Sequence, residues 1–297
     1  MKRVLKQILK SESRQENIFE DVQSFREHTP NAMSFCTGMG RSGTHFMAKL
    51  FQKTPGVEAY HMDHIGNSAA DSFFQYAKWY ELDVDQTPLF SSRSFLSSRA
   101  AALKNEKYFE SNPYLNLHIR DLSHHFDCKI LIIYRDPKKV VESHYNKGWY
   151  HDFQPEFDAS THGAPGYEYS IQNAHHFFGR FYPKDANELD DWKSFSRVGK
   201  IAWMWSAVYK KILEDTSVLS NVRIVRTEEI DYEKYGEICD FLELGKTSAE
   251  VFQGVLESKP GKAAYKKLPE WTSVEVDEFT TLTDGILQKL ENHLLKL

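Results

Sequence analysis

The stretch AMSFCTGMGRSGT, residues 32–44, decides the fold of this chain. Its first six residues have the composition of a short buried strand, and Gly38 and Gly43 follow with the G-x-x-x-x-G spacing of a phosphate-binding loop. A helical pattern of apolar residues comes next and ends at Pro55-Gly56. Because glycine permits positive φ and close backbone approach, such a loop can aim several N–H groups and a helix N-terminus at one anion. The stretch predicts an anion-binding loop; a glycine-rich turn that only joins strand to helix is the alternative.

The loop lacks the lysine that nucleotide kinases place after the second glycine, because Thr44 and His45 stand there. Arg41 can supply the positive charge instead, since its planar guanidinium can bind phosphate or sulfate oxygens with two parallel hydrogen bonds. Residues 35–53 contain three basic residues and no acidic one, in a chain whose formal net charge is −5. Any anionic ligand is therefore expected at such local basic sites.

Two further strands are predicted at Lys129–Tyr134 and Val222–Arg226, and helical patterns flank both. The first contains consecutive apolar residues without alternation, which is typical of a parallel strand covered on both faces. Asp136 and Pro137 follow it and suit the N-cap and the first position of a helix. Strands that alternate with helices predict an α/β fold, with a central parallel sheet flanked by helices. Such sheets bind ligands at the carboxyl ends of their strands.

We predict a single domain over residues 1–297 with two additions. Residues 1–30 are expected to include an N-terminal helical extension, because apolar side chains recur there at helical spacing. Residues 151–195 are irregular and rich in aromatic side chains. This favours a loop insertion on the side of the site where a second substrate, the acceptor, would bind.

The composition excludes several classes of protein. With 37 basic residues against 42 acidic ones, the chain cannot coat nucleic acid by bulk charge, so no nucleic-acid partner is expected. No run approaches the roughly 18 apolar residues of a membrane span, and the first residues lack the apolar segment of a signal peptide. The three cysteines stand far apart in the sequence, which favours a reducing compartment and predicts a cytoplasmic location.

Three motifs resemble those of the sulfotransferase family and occur in the family's order. GRSGTHF, residues 40–46, is similar to the family's 5′-phosphosulfate loop, written (K/R)-S-G-T/S. IIYRDPKKVVES, residues 132–143, resembles its 3′-phosphate motif, in which an arginine and a serine stand eight residues apart, as Arg135 and Ser143 do. RTEEI and the later FLEL resemble the R-Y-E-D-L and F-L-G-L stretches. With their flanks, the motifs cover residues 32–245.

The resemblance implies a fold, a reaction and a set of binding residues. Family members have a P-loop-NTPase-like fold and use 3′-phosphoadenosine 5′-phosphosulfate (PAPS) as co-substrate. They sulfate a hydroxyl or an amine, release 3′-phosphoadenosine 5′-phosphate (PAP) and need no metal. The implied nucleotide-binding residues are Gly40, Arg41, Ser42, Gly43, Thr44, His45, Phe46, Arg135, Ser143, Thr227, Lys259 and Gly261.

The chain departs from the family pattern at three places. Thr227 stands where many relatives have a tyrosine, and Phe46 replaces a tryptophan that lies near the adenine. The turn that begins at Glu110 resembles D-K-T-P or K-S-P but contains no lysine. These departures put the details of adenine packing and of the reactive turn in question.

The general base has several candidates, namely Glu110, His61, His64 and, inside the loop, His45. Glu110 follows a short strand candidate, and burial beside aromatic side chains can raise the pKa of a carboxyl group toward that of an effective base. The alternative for Glu110 is a helix cap near Pro113. The resemblance gives Arg41 the catalytic task of stabilising the leaving group. His61 and His64 also have the spacing of metal ligands, but no H-E-x-x-H motif or cysteine completes such a site, so no metal is expected.

The acceptor is expected to be a neutral or cationic, partly apolar small molecule, glycan or glycolipid. Residues 151–195 contain eight acidic residues against three basic ones, together with many aromatic rings that could stack on a sugar or another ring. Two other functions stay open from the sequence. One is a P-loop kinase with a degenerate loop, and the other is a nucleotide-binding relative that has lost catalysis.

Overall fold

Parallel strands form the centre of the molecule. The structure, a computed structural model, describes residues 32–62, 68–102, 107–150, 178–258 and 270–294. Within these ranges, one sheet has the order β2-β3-β1-β4-β5, and every neighbouring pair is parallel. The strands are β1 (Ala32–Thr37), β2 (Val57–His61), β3 (Lys107–Ser111), β4 (Lys129–Tyr134) and β5 (Val222–Arg226).

Helices connect the strands and cover both faces of the sheet. In chain order they are α1 (Thr44–Phe51), α2 (Ser68–Trp79), α3 (Thr87–Ala102), α4 (Ile119–Phe126), α5 (Pro137–Asn146), α6 (Ala186–Ser194), α7 (Arg197–Thr216), α8 (Tyr232–Leu242), α9 (Ala249–Glu257) and α10 (Ser273–Leu294). Single 3-10 turns lie at Pro113–Leu115 and Thr227–Glu229. None of the helices in the described ranges is long and apolar enough to cross a membrane.

The central strand β4 shows why this sequence forms a two-sided sheet. Ile130, Ile132 and Tyr134 pack in the core on the face covered by α5 and α7, while Leu131 and Ile133 pack in the core on the face of α1, α8 and α9. All five side chains are fully buried, so consecutive apolar residues are used on alternate faces. The prediction of an α/β fold built as one domain around a parallel sheet is confirmed.

The predicted bounds of β1, β4 and β5 are confirmed. The short strand expected before Glu110 is β3, which extends to Ser111 and so includes Glu110. Asp136 caps α5, because its side chain accepts a hydrogen bond from the backbone N–H of Lys139, and Pro137 is the first helical residue. The N-terminal extension of residues 1–30 and most of the 151–195 insertion lie outside the described residues, and both stay predictions.

Candidate active site

The loop between β1 and α1 depends on two glycines. Gly38 has a φ of 155°, and a Cβ atom there would lie 2.1 Å from the carbonyl oxygen of Ile133. Gly43 has a φ of 106°, and a Cβ atom would lie 2.7 Å from Cγ2 of Thr227. Since neither site has room for a side chain, the loop can pass close to β4 and β5 only with glycine at both positions. No side chain caps the N-terminus of α1, so its N–H groups stay available for an anion.

A buried tyrosine of α7 contacts both the loop between β1 and α1 and the strand β4. The Tyr209 hydroxyl donates to the carbonyl oxygen of Ile133 at 2.9 Å and accepts from the backbone N–H of Met39 at 3.2 Å. It also lies 3.0 Å from the Ser42 hydroxyl. Because Tyr209 is fully buried, these contacts fix the loop relative to the sheet. The sequence analysis missed Tyr209, because a tyrosine on the apolar face of a helix is expected to be an ordinary core residue.

The two predicted anion-binding motifs lie side by side. Arg41 has a left-handed backbone with a φ of 73°, and its Nε donates to Oγ of Ser143 at 2.8 Å. The Arg135 guanidinium donates to the carbonyl oxygen of Arg41 at 3.4 Å. Arg135 also lies 3.7 Å from the carboxylate of Glu228. The structure thus joins residues about a hundred positions apart into one polar cluster, two of its members being arginines.

This cluster opens on a cavity of about 1040 Å³ at the carboxyl ends of the strands. Ser42 and Ser143 are not among the residues that line it; they are buried just behind the wall. His64, Lys259 and Gly261 lie outside the described residues, and their roles stay predictions. The residues predicted for nucleotide binding or catalysis that line the cavity are Gly40, Arg41, Gly43, Thr44, His45, Phe46, His61, Arg135 and Thr227.

One end of the cavity, the aromatic end, is lined by Phe46, Tyr232, Phe252 and Leu256. The rings of Phe46 and Phe252 meet edge to face, with centroids 6.1 Å apart. Apolar walls with ring faces of this kind suit a flat heteroaromatic group. Phe46 therefore lies where an adenine ring could pack, although phenylalanine stands there in place of the tryptophan of many family members.

His61 faces the same loop from the end of β2. Its Nε2 atom lies 3.3 Å from Oγ1 of Thr44, and its ring stacks on His45 with centroids 4.7 Å apart. Burial, together with the nearby charge of His45, lowers the pKa of His61 to about 4. Burial also lowers the pKa of His45, with Lys49 and Arg41 adding to the effect. Both rings are therefore neutral near pH 7 and can accept a proton.

Glu110 lies in a closed network and does not line the cavity. Its Oε1 accepts from Arg93 at 2.7 Å and from the Asn112 amide at 2.9 Å, and its Oε2 accepts from the Tyr108 hydroxyl at 2.9 Å. The carboxyl group is fully buried, and Asp71 joins the same network through Arg93 and Asn112. The cap near Pro113 is Asn112, whose Oδ1 accepts from the N–H of Tyr114. Glu110 as the base stays a prediction, and these contacts favour a structural role for it.

Sequence reasoning also missed two polar side chains of the cavity wall, Gln75 and His144. His144 directly follows Ser143 in the 3′-phosphate motif and could have been noticed there, while Gln75 carries no motif. The part of the chain that the structure describes contains no cluster of three metal-ligating side chains.

Comparison with known proteins identifies the family. Residues 33–258 match the family model described as the sulfotransferase domain. The chain belongs to the sulfotransferase domain family. It is a sulfotransferase, and the loop, arginine cluster and cavity lie within the matched segment.

Solved sulfotransferase structures are similar to this chain at low sequence identity, and the first of them shows the shared fold. Sulfotransferase STF9 from Mycobacterium avium superposes with a TM-score of 0.54 and 11% identity, covering 99% of this chain and 84% of its own. The sulfotransferase domain from the curacin biosynthetic pathway gives 0.44 and 12%, covering 90% and 98%. Mouse sulfotransferase SULT7A1 complexed with PAP gives 0.33 and 12%, covering 92% and 87%. No curated protein sequence matches this chain.

Proposed function

We propose that this sulfotransferase moves the sulfuryl group of PAPS to a hydroxyl or amine of a small-molecule or glycan acceptor and releases PAP. The observation that carries the proposal is the convergence of the glycine loop, Arg41 and Arg135 on one cavity, with Ser143 bonded to Arg41 behind the wall. PAPS has two separate anionic groups, and this cluster offers a cation beside each motif. The neighbour complexed with PAP agrees with this choice of nucleotide.

Three parts of PAPS match three parts of the cavity. Arg41 and the open N–H groups of α1 suit the 5′-phosphosulfate. Arg135 suits the 3′-phosphate, with Ser143 close behind the wall, and the aromatic end suits the adenine. The two anion sites are linked by the Arg41–Ser143 hydrogen bond, so occupation of one site bears directly on the other.

The proposed transfer needs a base, a nucleophile and a stabilised leaving group. As the new S–O bond forms, the acceptor O–H proton passes to the base, and the bond between sulfur and the bridging oxygen breaks to leave PAP. Negative charge grows on that oxygen, where the Arg41 guanidinium and the loop N–H groups can stabilise it. Of the base candidates in described residues, His45 and His61 line the cavity and are neutral. We assign the proton to His61, whose Nε2 faces the loop 3.3 Å from Oγ1 of Thr44.

We expect Arg135→Ala to weaken PAP binding strongly while adenosine 5′-phosphosulfate binding changes little. The second nucleotide lacks the 3′-phosphate, so the guanidinium has no partner on it. Calorimetry with both nucleotides measures the difference. Lys138→Ala, which removes an exposed basic residue at the start of α5 and outside the cavity lining, is the matched control. Equal loss for both nucleotides would make Arg135 a structural residue.

We expect His61→Asn to lower single-turnover sulfate transfer by about 100-fold or more while PAP affinity holds, because a positioned base contributes about that factor. The acidic limb of the parent's rate profile should lie near pH 4, where His61 becomes protonated and can no longer accept a proton. His64→Asn and Glu110→Gln are measured beside it. If His61→Asn keeps the parent rate while His64→Asn or Glu110→Gln loses sulfate transfer, the base is the residue changed in the slow variant.

The function itself is tested by mass spectrometry of PAPS reactions over a library of metabolites and glycans. We expect one acceptor class to gain about 80 daltons, the mass of a sulfuryl group replacing hydrogen, with PAP formed in equal amount. Turnover with ATP in place of PAPS would support the kinase alternative, and PAP binding without transfer to any acceptor would indicate an inactive relative. A cytoplasmic location stays a prediction from the cysteines, all three of which are free and buried.

A further inference from the structure

An acidic side chain, Glu228, lines the cavity beside two cations of the 3′-phosphate motif. Its Oε1 lies 3.7 Å from Nε of Arg135 and 3.5 Å from Nζ of Lys139, and both of these side chains line the cavity too. The two carboxylate oxygens also accept from the backbone N–H of Asp136, at 3.3 and 3.4 Å. The carboxylate therefore uses the cations and the N–H group that a phosphate bound at this motif would use.

The backbone of Glu228 is held next to the loop between β1 and α1. Glu228 lies in the 3-10 turn Thr227–Glu229, directly after β5. The Thr227 hydroxyl donates to the carbonyl oxygen of Ser42 at 2.5 Å, and Gly43 lies directly beside Thr227. Because these contacts fix the turn, the Glu228 side chain, which is 27% exposed, can exchange its partners by rotation while its backbone stays in place.

Arg226 offers the same carboxylate a cation outside the cavity lining. Its Nε lies 3.7 Å from Oε2 of Glu228, and its Nη1 lies 3.3 Å from Oε1 of Glu291 on α10. A ligand in the cavity can therefore take Arg135 and Lys139 while Arg226 keeps its contact with Glu228. A displaced Glu228 would retain one ion pair, so its displacement costs less than leaving a carboxylate without any cation.

We propose that Glu228 competes with the 3′-phosphate of the nucleotide for Arg135 and Lys139, and that it thereby limits the affinity for PAP and speeds PAP release. The proposal rests on the proposed function, because it requires that Arg135 binds the 3′-phosphate. A phosphate on these two cations replaces the carboxylate there and remains close to it, and like charges at such a separation repel each other.

This competition acts on substrate and product alike. Sulfuryl transfer changes the 5′ end of the nucleotide and leaves the 3′-phosphate as it was. A site that bound this phosphate without a competitor would hold PAP at that end as tightly as it held PAPS, and slow product release would limit turnover. Because Glu228 returns to Arg135 and Lys139 as PAP leaves, it favours release without acting on the transfer step.

Calorimetry with PAP and with adenosine 5′-phosphate (AMP), which lacks the 3′-phosphate, tests the proposal. We expect Glu228→Gln to bind PAP about tenfold more tightly than the parent does, because glutamine keeps the size and a carbonyl acceptor but loses the charge. AMP affinity should change by less than about twofold, since AMP has no phosphate at these cations. Stopped-flow measurement should show PAP dissociation slowed by about tenfold. A merely structural residue would give weaker binding, not a gain confined to the nucleotide with the 3′-phosphate.

Two further variants separate the competition from the effect of surface charge. Glu229→Gln removes the neighbouring exposed carboxylate, which lies outside the cavity lining, and should leave PAP affinity within about twofold of the parent value. Lys139→Ala should weaken PAP binding, because it removes one of the two cations. When Glu228→Gln is added to Lys139→Ala, we expect a gain of only about threefold, since one of the released cations is absent.

Unchanged or weaker PAP binding by a folded Glu228→Gln variant would overturn the proposal, and Glu228→Ala decides by the same criterion if that variant does not fold. An equal gain for AMP or for Glu229→Gln would overturn it too, because either result would reflect overall charge. A parent that binds PAP no more tightly than AMP would count against the proposed function as well. A parent that prefers PAP, with no gain in the variant, would overturn this inference alone.

Discussion

Arg41→Ala is expected to slow single-turnover sulfate transfer about a hundredfold, equivalent to about 3 kcal/mol of transition-state stabilisation. The guanidinium lies at the loop that would hold the phosphosulfate, and charge grows on the bridging oxygen only as the sulfuryl group leaves. PAPS affinity should fall by less than the rate, because the bridging oxygen carries less charge in bound PAPS than in the transition state. Rapid-quench measurement of PAP formation gives the rate.

Two variants control for this loss. Arg41→Lys keeps the charge without the planar fork and without the Nε donor to Ser143, so we expect an intermediate rate. Lys53→Ala removes an exposed cation just after α1 and outside the cavity lining, and it should match the parent. A parent-like rate for Arg41→Ala, with PAPS saturating, would remove Arg41 from the catalytic step.

Arg93→Met is expected to destabilise the fold by about 3–5 kcal/mol, the usual cost of removing one partner from a buried ion pair. Its guanidinium lies 3.0 Å from Asp71 and 2.7 Å from Glu110, with side chains 0%, 6% and 0% exposed. The Asn112 amide donates to both carboxylates, so they lie close together. Without Arg93, two buried carboxylates would face each other with no cation between them. Urea unfolding measures the change in the free energy of unfolding.

Glu110→Gln is the matched comparison, because it removes one of the two carboxylate charges while Arg93 keeps Asp71 as its partner. We expect it to cost clearly less stability than Arg93→Met. The pair of variants also separates the roles of Glu110. If Glu110→Gln folds like the parent and still loses transfer, the carboxylate acts in catalysis; if Arg93→Met is as stable as the parent, the network does not hold this part of the fold.

Some of the site could be read from local sequence. The strand β4 is a continuous apolar run because it is covered on both faces, and Asp136-Pro137 marks the helix start through contacts within four residues. Gly38 and Gly43 could be recognised from the sequence, because only glycine tolerates the positive φ and the close contacts at both positions. The spacing of Arg135 and Ser143 is local too, since it depends on one strand end and one helix.

Other features depend on residues that the chain brings from far away. Glu110 looked like a base because the sequence shows an acid after a strand, but Arg93 and Asp71 arrive from two helices and enclose it. Gln75 likewise lies on the cavity wall with its amide nitrogen bonded to Asn116, a residue 41 positions later in the chain.

The sequence by itself determined the parallel α/β fold, the glycine loop between β1 and α1, and the family, because strand burial, glycine backbone freedom and motif spacing act over a few neighbouring residues. The tertiary structure alone decided which charges neutralise one another and which stay open to a ligand. Arg41 reaches Ser143, Tyr209 holds the loop, and Glu110 is enclosed by its partners. Hydrogen bonds and ion pairs act over about 3 Å, so these pairings depend on how distant segments pack.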